Sequence, residues 1–357
     1  MVKHLGLVLA ATGVLAAAPA GAAQLKQVGT IAVPGEPLAT FDIGVVDQEA
    51  QRYYLADRTN KSLDIFDAKA DAFLGRVPGF VGQKESNDVS GPDGVVLVGG
   101  EPWVGDGDST VKVVDLATNK IVATISTGGK ARVDEMAYDP VDHVFAGVNN
   151  ADDPPFITLI STGPDRKILA KIEYKDATDG AEQPFYLTST GMIYDSIPQV
   201  GPDKAKGAVA EIDPRQGTLV RMLPVANCHP AGLVGGPGDN LLLGCGAGDK
   251  EGGLPPLTVV IDARSGAVVK EIPGIGASDM VAYDHGLSLY YTASRNMPGG
   301  PKLGVIDAKA NALVQTVDLP GGNPHSVAVN EANHHVYVPL GAKGGGCGGC
   351  IAVFAPQ

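Results

Sequence analysis

The chain has 357 residues, of which 44% are hydrophobic and 19% charged, and its formal net charge is −13 at pH 7. This hydrophobic content can form a packed core and excludes global disorder, and the 48 Gly and 26 Pro residues follow no three-residue period, which excludes collagen. The acidic balance argues against nucleic acid and anionic membrane surfaces as partners.

Residues 1–23 have the pattern of a secretory signal peptide. Lys3 gives a basic start, an apolar run covers 5–18, and Ala-Gly-Ala at 20–22 matches a signal-peptidase site. The apolar run is too short to span a membrane, so we predict a mature chain over 24–357 without a membrane span. We therefore expect a secreted or periplasmic protein, where cysteines form disulfides.

A phrase of two β-hairpins recurs through the mature chain. Each copy contains a β-rich run that ends in Asp, a turn, and a second β-rich run, as in Thr-Val-Val-Ile-Asp at 258–262 and Leu-Gly-Val-Ile-Asp at 303–307. The Asp caps a tight turn, and a Gly or Asn four residues later supplies a positive φ angle. Another hairpin precedes each phrase, so a repeat is a four-stranded propeller blade.

Seven such repeats fill residues 37–357, and the seventh lacks its outer strand. The segment 28–37 resembles 314–324, which includes the outer strand of the preceding repeat. We therefore predict an all-β, seven-bladed β-propeller that forms a single domain. The N-terminal strand pairs with the last blade and closes the ring, which removes the exposed edges of an open array.

The phrase at 324–338, with Pro-His-Ser-Val-Ala-Val and then His-Val-Tyr-Val, resembles the YVTN-repeat family of seven-bladed propellers. The resemblance covers the whole mature chain. The family and its relatives include exported proteins without an assigned role, lactonases, a streptogramin lyase and propeller subunits of amine dehydrogenases. The resemblance implies the fold, and for function only a reaction class, because the lactonases' own ligand motif has no obvious match here.

The first residues of the seven innermost strands should meet at one mouth of the central channel. Alignment of the repeats places these residues there: Asp42, Asp93, Asp134, Gln183, His229, Asp279 and His325. Glu135 and Glu182 are neighbours of two of them. Several carboxylates in one channel repel each other unless they are protonated or bound to a metal. The alternative is that polar residues only solvate a hydrated channel.

A divalent metal is the predicted cofactor of this mouth. Imidazole with carboxylate suits Zn, Mn or Fe, and carboxylates alone suit Ca. The predicted metal ligands are His229, His325, Asp279, Asp134 and Glu135. The predicted catalytic residues are His229, His325 and Asp279. Loops on the same face carry two possible anion anchors, and the predicted substrate-binding residues are Arg58, Arg295, Gln183, Asp42 and Asp93.

Two disulfides are predicted. Cys228 and Cys245 flank the turn at 235–238, so antiparallel pairing puts them opposite each other, beside His229. Cys347 and Cys350 lie in a Gly-rich loop, which favours a structural disulfide over a thioredoxin-like redox pair. A soft-metal site of Cys and His is the alternative.

Two functions remain open from the sequence. The first is an exported enzyme with a metal-assisted site in the channel mouth, which hydrolyses or ring-opens a small ester or lactone. The second is a non-catalytic ligand-binding or scaffold propeller, for example a partner subunit of a periplasmic redox enzyme. In both cases we expect a monomer that binds a small-molecule ligand.

Overall fold

The computed structural model describes residues 24–246 and 256–357. They form seven four-stranded antiparallel sheets, and each sheet is one blade. In six blades the strands are consecutive in the chain from the channel outward, and in the seventh the N-terminal strand is the outermost. The predicted signal peptide lies outside the described residues. Within them, no helix is long and apolar enough to cross a membrane.

Blades 1 to 4 have the following strands. Blade 1 contains β2 (Gly44–Asp47), β3 (Arg52–Asp57), β4 (Ser62–Asp67) and β5 (Ala72–Pro78). After a 3₁₀ turn at Asn87–Val89, blade 2 contains β6 (Val95–Val98), β7 (Glu101–Asp106), β8 (Thr110–Asp115) and β9 (Lys120–Ser126). Blade 3 contains β10 (Met136–Asp139), β11 (Val144–Asn149), β12 (Phe156–Ser161) and β13 (Ile168–Glu173). Blade 4 contains β14 (Pro184–Leu187), β15 (Met192–Ile197), β16 (Lys206–Asp213) and β17 (Thr218–Ala226).

Blades 5 to 7 continue in the same order. Blade 5 contains β18 (Pro230–Gly235), β19 (Asn240–Cys245), β20 (Leu257–Asp262) and β21 (Val268–Pro273). Blade 6 contains β22 (Ser278–Asp284), β23 (Leu289–Ser294), β24 (Lys302–Asp307) and β25 (Ala312–Asp318). Blade 7 contains β26 (Ala328–Asn330), β27 (His335–Leu340), β28 (Cys350–Pro356) and, from the N-terminus, β1 (Leu25–Ala32).

The repeated Asp turn has the expected structure. Asp67 Oδ1 accepts hydrogen bonds from the backbone N–H groups of Lys69 and Ala70, at 2.9 and 3.0 Å. The equivalent Asp307 makes the same two bonds, and Asn311 then takes a φ angle of 48°. A side-chain cap followed by a left-handed residue therefore builds the outer hairpins, as the sequence predicted.

The hydrophobic core lies between neighbouring blades. Tyr53 of blade 1 stacks on Tyr337 of blade 7 with 4.9 Å between ring centroids, and Trp103 of blade 2 packs on Phe145 of blade 3 at 5.0 Å. All four side chains are fully buried. The middle strands are buried on both faces, whereas an outer strand such as β9 alternates with solvent.

Both predicted disulfides are present. Cys228 is bonded to Cys245 with 4.7 Å between Cα atoms, and Cys347 to Cys350 with 5.9 Å. The first bond joins Cys228, the residue directly before His229, to Cys245 at the end of β19. The disulfides are consistent with an extracellular location.

Closure of the ring by β1 is confirmed. β1 pairs antiparallel with β28 from Leu25 opposite Pro356 to Ala32 opposite Cys350, and Leu25 and Ile31 are buried in the core. Deleting residues 24–33 removes these two side chains, worth about 4 kcal/mol, and exposes the edge of β28. We expect the melting temperature to fall by about 10 °C, with aggregation on size-exclusion chromatography.

The control for this deletion is Thr30→Ala, which changes an exposed side chain of β1 and keeps its backbone pairing. It should melt within about 2 °C of the parent, because surface substitutions have small effects. A deletion variant that melts like the parent would show that β1 does not hold the ring closed.

Candidate functional site

The channel mouth is formed where the innermost strands begin. We call the residue of each blade that leads into its innermost strand at the mouth the ring residue. In four blades, the ring residue donates its backbone N–H to the second strand of the same blade. These bonds run from Asp42 to Ala56 O (2.9 Å), Asp93 to Gly105 O (3.0 Å), Asp134 to Val148 O (2.8 Å) and Glu182 to Ser196 O (2.8 Å). Strand register therefore puts three of the predicted Asp residues at equivalent positions, and in blade 4 the equivalent residue is Glu182.

Gln183 lies one residue beyond the ring position of blade 4, which Glu182 occupies. The predicted alignment of this blade is therefore shifted by one residue. Its Oε1 accepts a hydrogen bond from the backbone N–H of Leu233 at 2.8 Å, which ties blade 4 to blade 5. Its side chain lines the channel on the far side of the ring rather than the mouth cavity.

His229 lies before the ring position of blade 5. Its carbonyl accepts from the N–H of Gly246, as the carbonyl of Ala277 accepts from Arg295 in blade 6. Ala277 precedes Asp279 by two residues, so Ala231 occupies the ring position of blade 5. The β18–β19 pairing is irregular between Pro230 and Leu233, and spacing alone could not reveal this shift.

The mouth contains a cavity of about 180 Å³ with a highly polar wall. Its polar and charged lining residues are Thr40, Asp42, Arg58, Asn87, Arg132, Asp134, Glu135, Glu182, Asp279, Arg295, Asn323 and His325. Most of the predicted site residues therefore meet here. Of the others, Asp93 lies beneath Arg58, and Gln183 and His229 do not line this cavity.

Arg58 is the central cation of the mouth, with only 5% of the residue exposed. Its Nε donates to Asp93 Oδ1 at 2.9 Å, and its Nη2 donates to both Asp42 and Asp93. Its guanidinium is thus engaged within the protein and is not free as an anion anchor. Burial would raise the pKa of Asp42, but Arg58 and His325 outweigh it and hold that pKa below its usual range.

The net pKa shifts of Asp93 and Asp134 are opposite to that of Asp42. Burial raises the pKa of Asp93 well above its usual value, despite Arg58 and Arg132. Burial also raises the pKa of Asp134 to about 6, although Arg132 Nη2 contacts its Oδ2 at 2.5 Å. Similar carboxyl groups at equivalent positions of the ring therefore have different pKa values.

Arg132 was not among the residues predicted for this site. It pairs with Asp134 and lies 4.0 Å from Asp42, so it bridges two ring residues. It precedes its ring residue by two positions, as His229 precedes Ala231. Comparing that position across the repeats could have identified Arg132 from the sequence.

His325 is held on three sides. Its ring stacks on Phe41 with 4.7 Å between centroids and 11° between planes. Nδ1 lies 2.7 Å from the carbonyl oxygen of Asn323, and Nε2 lies 3.2 Å from Asp42 Oδ1. Both ring nitrogens therefore have hydrogen-bond partners within the protein.

Four of the five predicted metal ligands line the mouth cavity, and His229 lines the adjoining one. Among the described residues, the group whose ligand atoms lie within 4.8 Å of one another is Asp42, Asp93 and Asp134, and only Asp134 belongs to the predicted set. Their oxygens would suit Ca better than Zn. However, the guanidinium groups of Arg58 and Arg132 already contact these carboxylates, so the cluster does not fit a further divalent cation.

Glu135 and Glu182 are the two glutamates of the mouth, and the pKa values of both are raised. Burial raises the pKa of Glu135 well above its usual value, and the charges of Glu182 and Asp134 add to this. Burial likewise raises the pKa of Glu182, and the charges of Asp279 and Asp134 raise it further. Glu135 is 4% exposed, and its Oε2 has no hydrogen-bond partner.

A second cavity of about 270 Å³ adjoins the first and shares Glu182, Asp279 and Arg295 with it. His229 lines this second cavity, and its Nε2 lies 2.8 Å from Asp179 Oδ2. The two predicted catalytic histidines therefore line different cavities, with the Asp279–Arg295 pair on the wall between them. Asp179 lies in a loop outside the repeated pattern, so the sequence analysis did not select it.

Comparison with solved structures supports the fold. A chain of the structure titled "Kuenenia stuttgartiensis Hydrazine Synthase" matches with a TM-score of 0.72 and 14% identity, over 90% of this chain and 96% of that chain. A chain of the "Crystal Structure of Mitotic Checkpoint Complex" matches with a TM-score of 0.70 and 11% identity, over 99% and 98%.

No family model and no curated protein sequence matches the chain. The YVTN-repeat resemblance is therefore not confirmed beyond the seven-bladed propeller that it implied. At identities this low, the structural likeness shows the fold alone, and function must be argued from the site.

Replacing Glu135 tests the charge crowding. Its raised pKa means that the folded state binds this proton more tightly than the unfolded state, so its contribution to stability falls as the pH rises above the unfolded value. Glu135→Gln lacks this loss. The free energy of unfolding of the variant relative to the parent should therefore increase from pH 5 to pH 8, by about 1.4 kcal/mol per pH unit until Glu135 ionises. The difference in melting temperature between the two proteins measures this increase.

Glu271→Gln is the matched control, because Glu271 is an exposed residue of the outer strand β21. Its melting temperature relative to the parent should not change with pH. If Glu135→Gln gains nothing over the parent between pH 5 and pH 8, then Glu135 is not held in the proton-bound form.

Proposed function

We propose that the protein is an exported enzyme that binds a small organic molecule at the channel mouth and hydrolyses or ring-opens an ester or lactone there by acid–base catalysis. The observation that carries the proposal is the wall shared by the two mouth cavities, which consists of Glu182, Asp279 and Arg295. It combines a proton-bound carboxyl, a second carboxylate and a guanidinium.

The two carboxyl groups have different environments, which supports different roles. Glu182 holds its proton because burial and the negative charge of Asp279 raise its pKa. The Asp279 side chain is 20% exposed and pairs with Arg295 at 3.0 Å, so it keeps contact with solvent. Neighbouring groups whose proton affinities are pushed apart are the usual arrangement of a catalytic acid and base.

The proposed reaction uses these groups in sequence. Asp279 accepts a proton from water as the water oxygen bonds to the carbonyl carbon, and the carbonyl oxygen becomes an oxyanion. Arg295, whose side chain is 34% exposed, stabilises that charge. Glu182 then donates its proton to the leaving oxygen as the C–O bond breaks. The products are an acid and an alcohol, or a hydroxy acid from a lactone, and proton exchange with water restores both carboxyl groups.

The histidines have different proposed roles. His229 lines the second cavity with Asp179, where it can bind the part of the substrate beyond the reacting carbonyl. His325 positions Asp42 and has no free nitrogen, so its role is structural. A metal is not required, because arginines balance the clustered carboxylates.

The proposal is tested with purified mature protein and a panel of small esters and lactones, followed by proton release in a pH-stat. We expect turnover that persists in EDTA. Glu182→Gln and Asp279→Asn should each lower kcat by about 100-fold with little change in melting temperature, because each removes one proton transfer. His229→Ala should raise KM more than it lowers kcat.

His334→Ala and His335→Ala are the controls, because both residues lie at the β26–β27 turn, at the opposite end of the strand from the mouth. They should turn over the panel like the parent. Absence of turnover on the whole panel, or turnover unaffected by Glu182→Gln, would overturn the enzymatic proposal. Co-purification of a stoichiometric partner protein with an inactive propeller would support the scaffold function instead.

A further inference from the structure

The central channel contains a third cavity, on the far side of the ring residues from the mouth. A cavity of about 420 Å³ is lined there by the innermost strands of blades 1 to 4 and by Met280. Its walls are mainly apolar, and Val45, Val96 and Phe185 are only partly buried. This volume lies in the range of small-molecule sites, and the apolar walls contrast with the charged mouth.

Glu135 is the point where the two cavities meet. It lines both the mouth cavity and the apolar cavity. It is nine-tenths or more buried, and its Oε2 has no hydrogen-bond partner. A buried carboxyl oxygen without a partner is costly, and a ligand that donates a hydrogen bond would satisfy it.

The charge around Glu135 selects the kind of ligand. The charged groups that act most strongly on it are all acidic: Glu182, Asp134, Asp279 and Asp42. Their summed field favours a cation at Glu135 and opposes an anion. Arg58 and Arg132 are already paired with carboxylates in the mouth.

We propose that the apolar channel binds an amphiphilic amine, with its apolar body between β2, β6, β10 and β14 and its ammonium group against the carboxyl of Glu135. The cavity extends along these innermost strands, away from the mouth. The proposal does not depend on the reaction proposed for Glu182, Asp279 and Arg295, because those side chains do not line this cavity.

The ammonium group supplies a hydrogen-bond donor and a positive charge to the carboxyl group of Glu135, whose Oε2 has no other partner. An alcohol of the same length can occupy the channel but brings no charge to this carboxyl group.

The test uses isothermal titration calorimetry of the mature protein with hexylammonium, 1-hexanol and hexanoate at pH 7. We expect hexylammonium to bind at least tenfold more tightly than 1-hexanol, and hexanoate not to bind. Equal affinity for amine and alcohol, or measurable binding of hexanoate, would overturn the proposal.

Three variants locate the site. Glu135→Gln should lose tenfold or more in affinity for hexylammonium and keep its affinity for 1-hexanol. Val96→Phe should weaken both ligands, because it fills the apolar channel. Asn87→Ala, at the rim of the mouth, should change neither. Amine binding that survives Val96→Phe but is lost in Arg295→Ala would place the ligand in the mouth and refute the channel site. The comparison of the three ligands on the parent protein tests the proposal even if a variant does not fold.

Discussion

Charge crowding at one end of the channel is the constraint on which the rest of the structure depends. A closed ring of blades brings the first residues of its innermost strands to a common point, and here most of them are acidic. Water cannot screen side chains that are this deeply buried. Two guanidinium groups, those of buried Arg58 and half-buried Arg132, contact Asp42, Asp93 and Asp134 across three blades. The network that relieves the repulsion also ties the blades together at the mouth.

Incomplete neutralisation gives the mouth its chemistry. Arg58, His325 and Arg132 all act on Asp42, so its pKa stays low. Burial and neighbouring acids raise the pKa values of Glu135 and Glu182. In the functions proposed here, side chains of nearly identical chemistry thereby become a carboxylate partner for arginine, a proton donor and a buried hydrogen-bonding group. Position in the ring, rather than residue type, decides which role each one has.

The fold could be predicted from the sequence because the same two-hairpin pattern recurs in every blade. Each blade carries its own turn signals, such as Asp307 with Asn311, and the missing seventh outer strand could be matched to residues 28–37. The same regularity located Asp42, Asp134 and Asp279. It failed at His229, because an irregular strand pairing shifts the register of blade 5.

Other features of the site depend on contacts that no repeat encodes. Spacing could place acidic residues at the mouth, but it could not show where the long side chains of Arg58 and Arg132 end. Clustered carboxylates therefore led to the prediction of a metal, and the sequence could not show that Arg58 and Arg132 contact three of them. The proton affinities of Glu135 and Glu182 likewise depend on burial, which the linear sequence does not contain.

The most direct test of this account is the response of thermal stability to calcium in the parent protein and in Arg58→Gln. The account predicts that millimolar Ca²⁺ leaves the parent melting temperature unchanged, because arginine already balances the carboxylates. Arg58→Gln should lose about 3–5 kcal/mol of stability, since it leaves Asp42 and Asp93 buried without their cation, and Ca²⁺ should restore part of that loss. A parent protein that Ca²⁺ stabilises strongly, or an Arg58→Gln variant as stable as the parent, would contradict it.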